Sequence, residues 1–165
     1  ITPAIIKSEM SAFGTEKACD EEGLKVEGST VSREVLATYE KEECKLEMVL
    51  SLPATYPLRA VEVNCRKLTG IRHEKWRRWA IQIVSLLSSR DGSLNEGIML
   101  WKRNVDEAMD GVEPCPICYA VVQVTDRSLP KVSCKVCHTK FHSVCIYKWF
   151  SNASKSTCPM CRSSF

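Results

Sequence analysis

Cys115-Pro-Ile-Cys118, Cys134-Lys-Val-Cys137, His142-Ser-Val-Cys145 and Cys158-Pro-Met-Cys161 follow one another near the end of the chain. Each pair is separated by two residues, the spacing at which one tight turn aims two side chains at a single tetrahedral ion. Eight such ligands make two closed sites. A closed site leaves no coordination position for a substrate, so the ions are expected to be structural, and two zinc ions per chain are expected. A disulfide framework is the competing reading. It fails because seven cysteines cannot all pair and no signal-peptide pattern follows Ile1. His138 directly follows Cys137 and is the one other candidate ligand. Cys134-x-x-Cys137 has the chelating spacing and Cys134 to His138 does not, so His138 reads as a surface histidine.

Outward from this stretch the composition changes. The chain has 165 residues and ten cysteines, and only Cys19, Cys44 and Cys65 lie outside the cysteine-rich stretch. From Gly111 to Phe165 there are seven Lys or Arg against two acids, a charge of +5; the whole chain is +3, which leaves −2 for residues 1–110. The shift predicts two domains, 1–110 and 111–165. A piece as small as the second needs metals or disulfides to supplement its hydrophobic core. No apolar run approaches the roughly 20 residues that a membrane-spanning helix needs, so a soluble chain is expected. It begins at Ile1 and not at Met, which is the expectation for a fragment of something longer.

Residues 1–110 read as an α+β domain. Cys44-Lys-Leu46-Glu-Met48-Val-Leu50-Ser-Leu52 and Val61-Glu-Val63-Asn-Cys65 alternate with the period of a strand. Ser29 to Tyr39, rich in Val and Thr, is the expected partner strand, with Glu40–Glu43 as its turn and the prolines of Leu52-Pro-Ala-Thr-Tyr-Pro57 ending the sheet. An antiparallel meander of three or four strands results. After Gly70 the period becomes helical: Trp76, Trp79, Ala80, Ile83, Val84 and Leu87 share a face, and Asp91-Gly92 ends the helix. Ser93-Leu-Asn-Glu96 is a capping box. Leu94, Ile98, Trp101, Val105 and Ala108 form the second stripe, with Gly111 as C-cap. Residues 3–13 fit a helix or a strand equally.

Little in this half points to chemistry. Cys44 and Cys65 fall on the apolar side of their strands and read as small buried hydrophobes. Cys19 sits in the acidic loop Ala18-Cys-Asp-Glu-Glu22, where negative charge raises a thiol pKa. His73 reads as solvated, and Trp76 and Trp79 as packing residues.

The ligand order is four cysteines, one histidine and three cysteines, with 15, 4 and 12 residues between successive pairs. In sequential ribbons neighbouring pairs share a metal. In a cross-brace, pairs one and three share one ion and pairs two and four the other. The gaps resemble the cross-braced RING and PHD families. That resemblance implies Cys115, Cys118, His142 and Cys145 for the first zinc and Cys134, Cys137, Cys158 and Cys161 for the second. PHD fingers usually place a Trp two residues before the seventh ligand, where this chain has Ser156. RING domains that recruit a ubiquitin-conjugating enzyme carry instead the set found here: Ile117 between the first two ligands, Trp149 four residues past the sixth, Pro159 after the seventh and Arg162 after the eighth. Each has a plainer reading, since Pro159 also shapes the metal turn and Trp149 also suits a small core. The RING resemblance implies that Ile117, Trp149 and Pro159 form an apolar groove for the conjugating enzyme. It implies that Arg162 is the linchpin touching that enzyme and its thioester-linked ubiquitin. Such a ligase supplies no nucleophile; it catalyses by orientation. Arg suits the linchpin because its planar, permanently charged fork offers several donors at once.

An α+β domain ahead of a RING resembles the RWD family, which shares the fold of ubiquitin-conjugating enzymes and lacks their cysteine. Tyr56-Pro57-Leu-Arg-Ala-Val61 keeps the first half of the Tyr-Pro-x-x-x-Pro signature and replaces its last proline, and no His-Pro-Asn triplet precedes a cysteine. Leu52–Val63, Leu100–Asp106, Lys140–Phe150 and Ser156–Arg162, taken together, resemble the C-terminal end of the RING ubiquitin ligases of ribosome-associated quality control. This resemblance implies a cytosolic, ribosome-associated ligase fragment. Its partners would be a ubiquitin-charged conjugating enzyme and the large ribosomal subunit bearing a stalled nascent chain, with no specific DNA and no membrane. The RWD-like domain would contact the ribosome or position the RING. The alternative is a PHD-like or adaptor zinc module that binds proteins without ligase activity. A methyl-lysine reader needs an aromatic cage, and residues 119–133 offer Tyr119 alone.

Overall fold

The computed structural model describes residues 4, 7–9, 11, 23–56, 58–89 and 92–165. The chain divides into two compact units, Ile1–Met109 and Asp110–Phe165. Cys19 and Asp91, and Pro57 of the Tyr-Pro signature, lie outside the described residues. Of residues 3–13, those described (4, 7–9 and 11) are helical.

The first unit is built on four strands, β1 (Leu24–Ser29), β2 (Glu34–Lys41), β3 (Cys44–Ser51) and β4 (Glu62–Lys67), hydrogen-bonded in that order as an antiparallel meander. Alternation works as expected in the middle of the sheet. Val35, Ala37 and Tyr39 on β2 and Cys44, Leu46, Met48 and Leu50 on β3 are buried on one face. Lys41 pairs with Cys44, so Glu42 and Glu43 alone make the β2–β3 turn, with Glu42 at φ +54. The segment Ser29–Tyr39 is not a single strand. Ser29 ends β1, residues 30–33 turn, with Arg33 at φ +56, and β2 starts at Glu34. β1 itself escaped the sequence reading because an edge strand buries little. Only Leu24 of its six residues is buried.

Helices α1 (His73–Leu87) and α2 (Leu94–Met109) follow, and they pack against each other. The buried stripe of α1 is Trp76, Trp79, Ile83 and Leu87, with Ala80 and Val84 at its half-buried margin. That of α2 is Leu94, Gly97, Ile98, Trp101, Val105 and Met109, so Met109 closes the stripe where Ala108 was expected. A Cβ on Gly97 would lie 3.1 Å from Leu87 Cδ2, which shows how closely the helices approach there. The capping box is formed: the Ser93 amide donates to Glu96 Oε2 at 2.9 Å, and the Glu96 amide donates to Ser93 Oγ at 3.3 Å. Gly111 takes φ +68 just past α2, a backbone state that glycine adopts without steric cost.

Asp106 ties α2 to the sheet. It accepts from Tyr39 Oη at 2.6 Å, Lys41 Nζ at 2.8 Å and Lys102 Nζ at 3.0 Å. Burial alone would raise its carboxyl, but the donors from Lys41, Tyr39 and Lys102 hold it down at about 2.

The second unit has a two-stranded ribbon, β5 (Val132–Ser133) with β6 (Lys140–Phe141), and one helix, α3 (Ser143–Ala153). Its buried core is Cys115, Cys134, Phe141, Cys145, Ile146 and Cys158, with Ile117, Val132, Cys137, Phe150 and Phe165 packed around it. Four of those six core residues are cysteines, so this cluster is built around sulfur. Among the described residues no helix is long and apolar enough to cross a membrane.

Candidate metal centres

Three of the four pairs sit on one repeated backbone turn. The Cys115 amide donates to Ala120 O at 3.0 Å, and the Tyr119 amide donates back to Cys115 O at 2.7 Å. The Cys134 amide bonds Thr139 O and the His138 amide bonds Cys134 O, both at 3.0 Å; the Cys158 amide bonds Ser163 O and the Arg162 amide bonds Cys158 O, both at 2.9 Å. The residue after each second cysteine is left-handed: Tyr119 at φ +60, His138 at +57 and Arg162 at +60. The turn folds two sulfurs to one side and leaves amides free to face them, as where the Val136 amide lies 3.4 Å from Cys134 Sγ. The remaining pair is helical. His142 is the N-cap of α3, and Cys145 lies one turn along it.

The fold brings pairs one and three together, and pairs two and four. The ligand atoms of Cys115, Cys118, His142 and Cys145 all lie within 4.8 Å of one another, and so do those of Cys134, Cys137, Cys158 and Cys161. A tetrahedral zinc with Zn–S of about 2.3 Å requires sulfur–sulfur edges of about 3.8 Å. Cys134 Sγ to Cys161 Sγ is 3.7 Å, and Cys137 Sγ to Cys158 Sγ is 3.7 Å. In the other group His142 Nδ1 lies 3.3 Å from Cys118 Sγ and 3.8 Å from Cys145 Sγ. His142 Nε2 is 3.0 Å from Val121 O, so the ring proton belongs on Nε2 and Nδ1 is left as the donor atom toward the sulfurs. Both groups therefore fit a zinc ion.

Their electrostatics point the same way. In the first group burial works against ionising Cys115, but amide donors from His142, Ile117 and Cys118 outweigh it and lower the thiol. Burial and the neighbouring Cys118 and Cys115 push Cys145 up to about 12. In the second group, amides of Cys137 and Val136 pull Cys134 down to about 6, and burial pushes Cys158 up to about 11. Four crowded sulfurs cannot all ionise beside one another unless a cation balances them.

His138, the alternative ligand, belongs to neither group and is exposed. Its place in the turn matches that of Tyr119 and Arg162, which explains the histidine's position without a metal.

The four residues singled out for the conjugating enzyme surround these centres. Ile117 is half-buried and packs on the core that contains Cys158. Trp149 on α3 is 38% exposed, and its Nε1 donates to Thr157 O at 3.1 Å, which ties α3 to the Cys158 turn. Pro159 is half-buried, and Arg162 is exposed. Sequence reasoning passed over two hydroxyls, Thr139 Oγ1 at 3.3 Å from Cys137 Sγ and Ser163 Oγ at 2.9 Å from Cys161 Sγ. Their common place, two residues past the second cysteine of a pair, was legible but carried no meaning until the turns were compared.

Comparison with known proteins agrees with both units. Residues 24–108 match the family described as ubiquitin conjugating domain-like, and residues 113–162 match the Ring finger domain. The chain belongs to the ubiquitin conjugating domain-like family and carries a RING finger. It is similar to the E3 ubiquitin-protein ligase listerin of Gallus gallus, 43% identical over 143 residues, which is 87% of this chain and 8% of that protein. The E3 ubiquitin-protein ligase listerin of Drosophila melanogaster is 39% identical over 100% of this chain and 9% of that protein. For that of Saccharomyces cerevisiae the identity is 34%, over 99% of this chain and 11% of that protein. The chain thus spans about a tenth of the length of these homologues. In RING-finger terms, one group is a centre of three cysteines and a histidine and the other a centre of four cysteines, each able to hold a zinc ion.

Proposed function

We propose that the chain is the ligase-bearing part of a RING-type E3 that recruits a ubiquitin-charged conjugating enzyme and promotes transfer to lysines of stalled nascent chains on the large ribosomal subunit. The observation that carries this reading is the interleaving of the four pairs around two centres, with an exposed Arg162 on the turn of the second. The similarity to proteins named E3 ubiquitin-protein ligase listerin supports the ligase reading, while the ribosomal setting and the cytosolic location rest on the family resemblance of the sequence.

In this reading Cys115, Cys118, His142 and Cys145 hold one zinc and Cys134, Cys137, Cys158 and Cys161 the other. The zinc would supply only cross-linking, by closing a unit whose small core cluster is built around cysteines. Ile117, Trp149 and Pro159 offer the apolar contact to the conjugating enzyme. The Trp149–Thr157 hydrogen bond fixes the indole against the Cys158 turn. Arg162 donates to the charged complex and holds the ubiquitin for attack, an effect of orientation and not of bond chemistry. No cysteine of this chain carries ubiquitin. Burial and the carboxylates of Glu42 and Glu43 push Cys44 up to about 11, and burial raises Cys65. The first unit, RWD-like, contacts the ribosome or positions the RING.

The test is discharge of a thioester-charged conjugating enzyme to free lysine. The chain should accelerate it many-fold. A zinc-loaded chain that binds the conjugating enzyme without accelerating discharge would place it among adaptor modules.

A further inference from the structure

The three cysteine turns share one backbone, and the residue that follows the left-handed position differs in each. Two residues past the second cysteine stand Ala120 in the turn of Cys115 and Cys118, Thr139 in that of Cys134 and Cys137, and Ser163 in that of Cys158 and Cys161. Each of these residues accepts, through its carbonyl, the amide of the first cysteine, so the three side chains leave equivalent points of equivalent turns. The alanine belongs to the histidine-bearing group and both hydroxyls to the all-cysteine group. Thr139 Oγ1 lies 3.3 Å from Cys137 Sγ, and Ser163 Oγ lies 2.9 Å from Cys161 Sγ and 3.7 Å from Cys134 Sγ.

We infer that Ser163 is a positioning residue that holds zinc at the all-cysteine centre by donating an O–H···S hydrogen bond to its thiolates. The reason is charge. Zinc with three thiolates and an imidazole carries a net −1, whereas zinc with four thiolates carries −2, and the extra negative charge needs donors aimed at sulfur. The histidine-bearing centre gets its support differently, through His142 Nε2 and the Val121 carbonyl. A thiolate has no proton to give, so in the Ser163 contacts, where either atom can donate, the hydroxyl is the donor. Ser163 lies beside ligand sulfurs of two different turns, whereas Thr139 Oγ1 stands as the acceptor toward Cys137 Sγ, so loss of the Ser163 hydroxyl should be felt at this centre and loss of the Thr139 hydroxyl should not.

This inference rests on the reading of the two groups as zinc sites, and elemental analysis of the wild-type chain tests that reading separately. Fewer than two zinc ions per wild-type chain would remove the basis of both. With two present, Ser163→Val and Ser163→Thr are compared. They have nearly the same shape and differ in the hydroxyl. Zinc release to a chromophoric chelator is followed as two phases, and cadmium NMR of the exchanged chain assigns each phase to the four-thiolate or the three-thiolate centre. Loss of a group that supports a metal ligand typically costs about 10- to 100-fold in affinity. Ser163→Val should therefore lose the metal of the four-thiolate centre roughly 10-fold or more faster than wild type, by that same measure, with the three-thiolate phase unchanged. Ser163→Thr should stay close to wild type. Thr139→Val, at a hydroxyl placed to accept and not to donate, should leave that phase close to wild type. Wild-type release from Ser163→Val, or equal acceleration in the Thr and Val variants, would overturn the inference.

Discussion

His142 Nε2 faces the Val121 carbonyl at 3.0 Å while Nδ1 of the same ring lies 3.3 Å from Cys118 Sγ. One imidazole thus joins the loop after the first turn to the start of α3 through the metal group. Removing the metal should cut this link, and the equivalent one between Cys134 and Cys161, together. Structural zinc contributes on the order of 10 kcal/mol to the folding of small zinc domains. A strong chelator should therefore unfold residues 110–165 and leave the helix and strand signal of the first unit, which has an apolar core of its own. Circular dichroism and zinc analysis on the same sample check this. Retention of the second unit's amide dispersion in metal-free protein would contradict it.

The ligand choice at the second centre predicts an asymmetry between neighbours. Cys137→Ser should lose the zinc of the all-cysteine group. His138→Ala should keep two zinc ions per chain, since His138 stands in the turn at φ +57 and only its backbone is used. Elemental analysis of the two variants decides. One zinc in His138→Ala would move the ligand from the cysteine to the histidine.

Docking and activation should separate at Trp149 and Arg162. Trp149→Ala removes a partly exposed aromatic and its bond to Thr157 O, and truncating such an anchor costs about 2 kcal/mol or more of binding. It should weaken binding and discharge together. Arg162→Ala exchanges one L-residue for another at φ +60, so the turn pays the same backbone cost and the zinc should stay. It should slow discharge to free lysine far more than it weakens binding of the uncharged enzyme. Discharge at the wild-type rate would make the unit a docking platform alone.

The Asp106 carboxyl gives the first unit an acid-sensitive joint. Its pKa is about 2 in the folded chain against an ordinary 3.8, so its contribution is present above about pH 4 and is lost as the pH falls through 2. After allowance for solvent screening the contribution is about 1 kcal/mol. Asp106→Asn should lower stability by that amount at neutral pH, and the gap from wild type should close toward pH 2. Urea unfolding followed by tryptophan fluorescence at several pH values checks this, because three of the four tryptophans lie in the first unit. A gap that persists at low pH would mean that the carboxylate's charge does not matter there.

Substitution of Cys44, Cys65 and Cys19 by serine should leave discharge largely intact apart from lost packing. The sign follows from the raised thiols of Cys44 and Cys65, which are poor nucleophiles. A reducible ubiquitin adduct on the wild-type chain would demand a covalent mechanism instead.

The sequence by itself determined everything that depends on local spacing. Two intervening residues dictate that Cys115 and Cys118, or Cys158 and Cys161, serve one ion, because a single turn has only that reach. The period of two in β3, the stripe of α1 and the Ser93–Glu96 box are likewise local, and each appears where the residues put it. What spacing could not decide is which pairs meet. Cys118 and His142 are 24 positions apart, and only the path of the chain through the β5–β6 ribbon and into α3 sets them side by side. The edge strand β1 was hidden for a related reason, since its place is fixed by pairing with β2 and hardly at all by burial of its own side chains. The split of roles among Ala120, Thr139 and Ser163 also needed the fold. Their shared position in the turn is plain in sequence, but only the folded pairing shows that both hydroxyls lie beside the all-cysteine group.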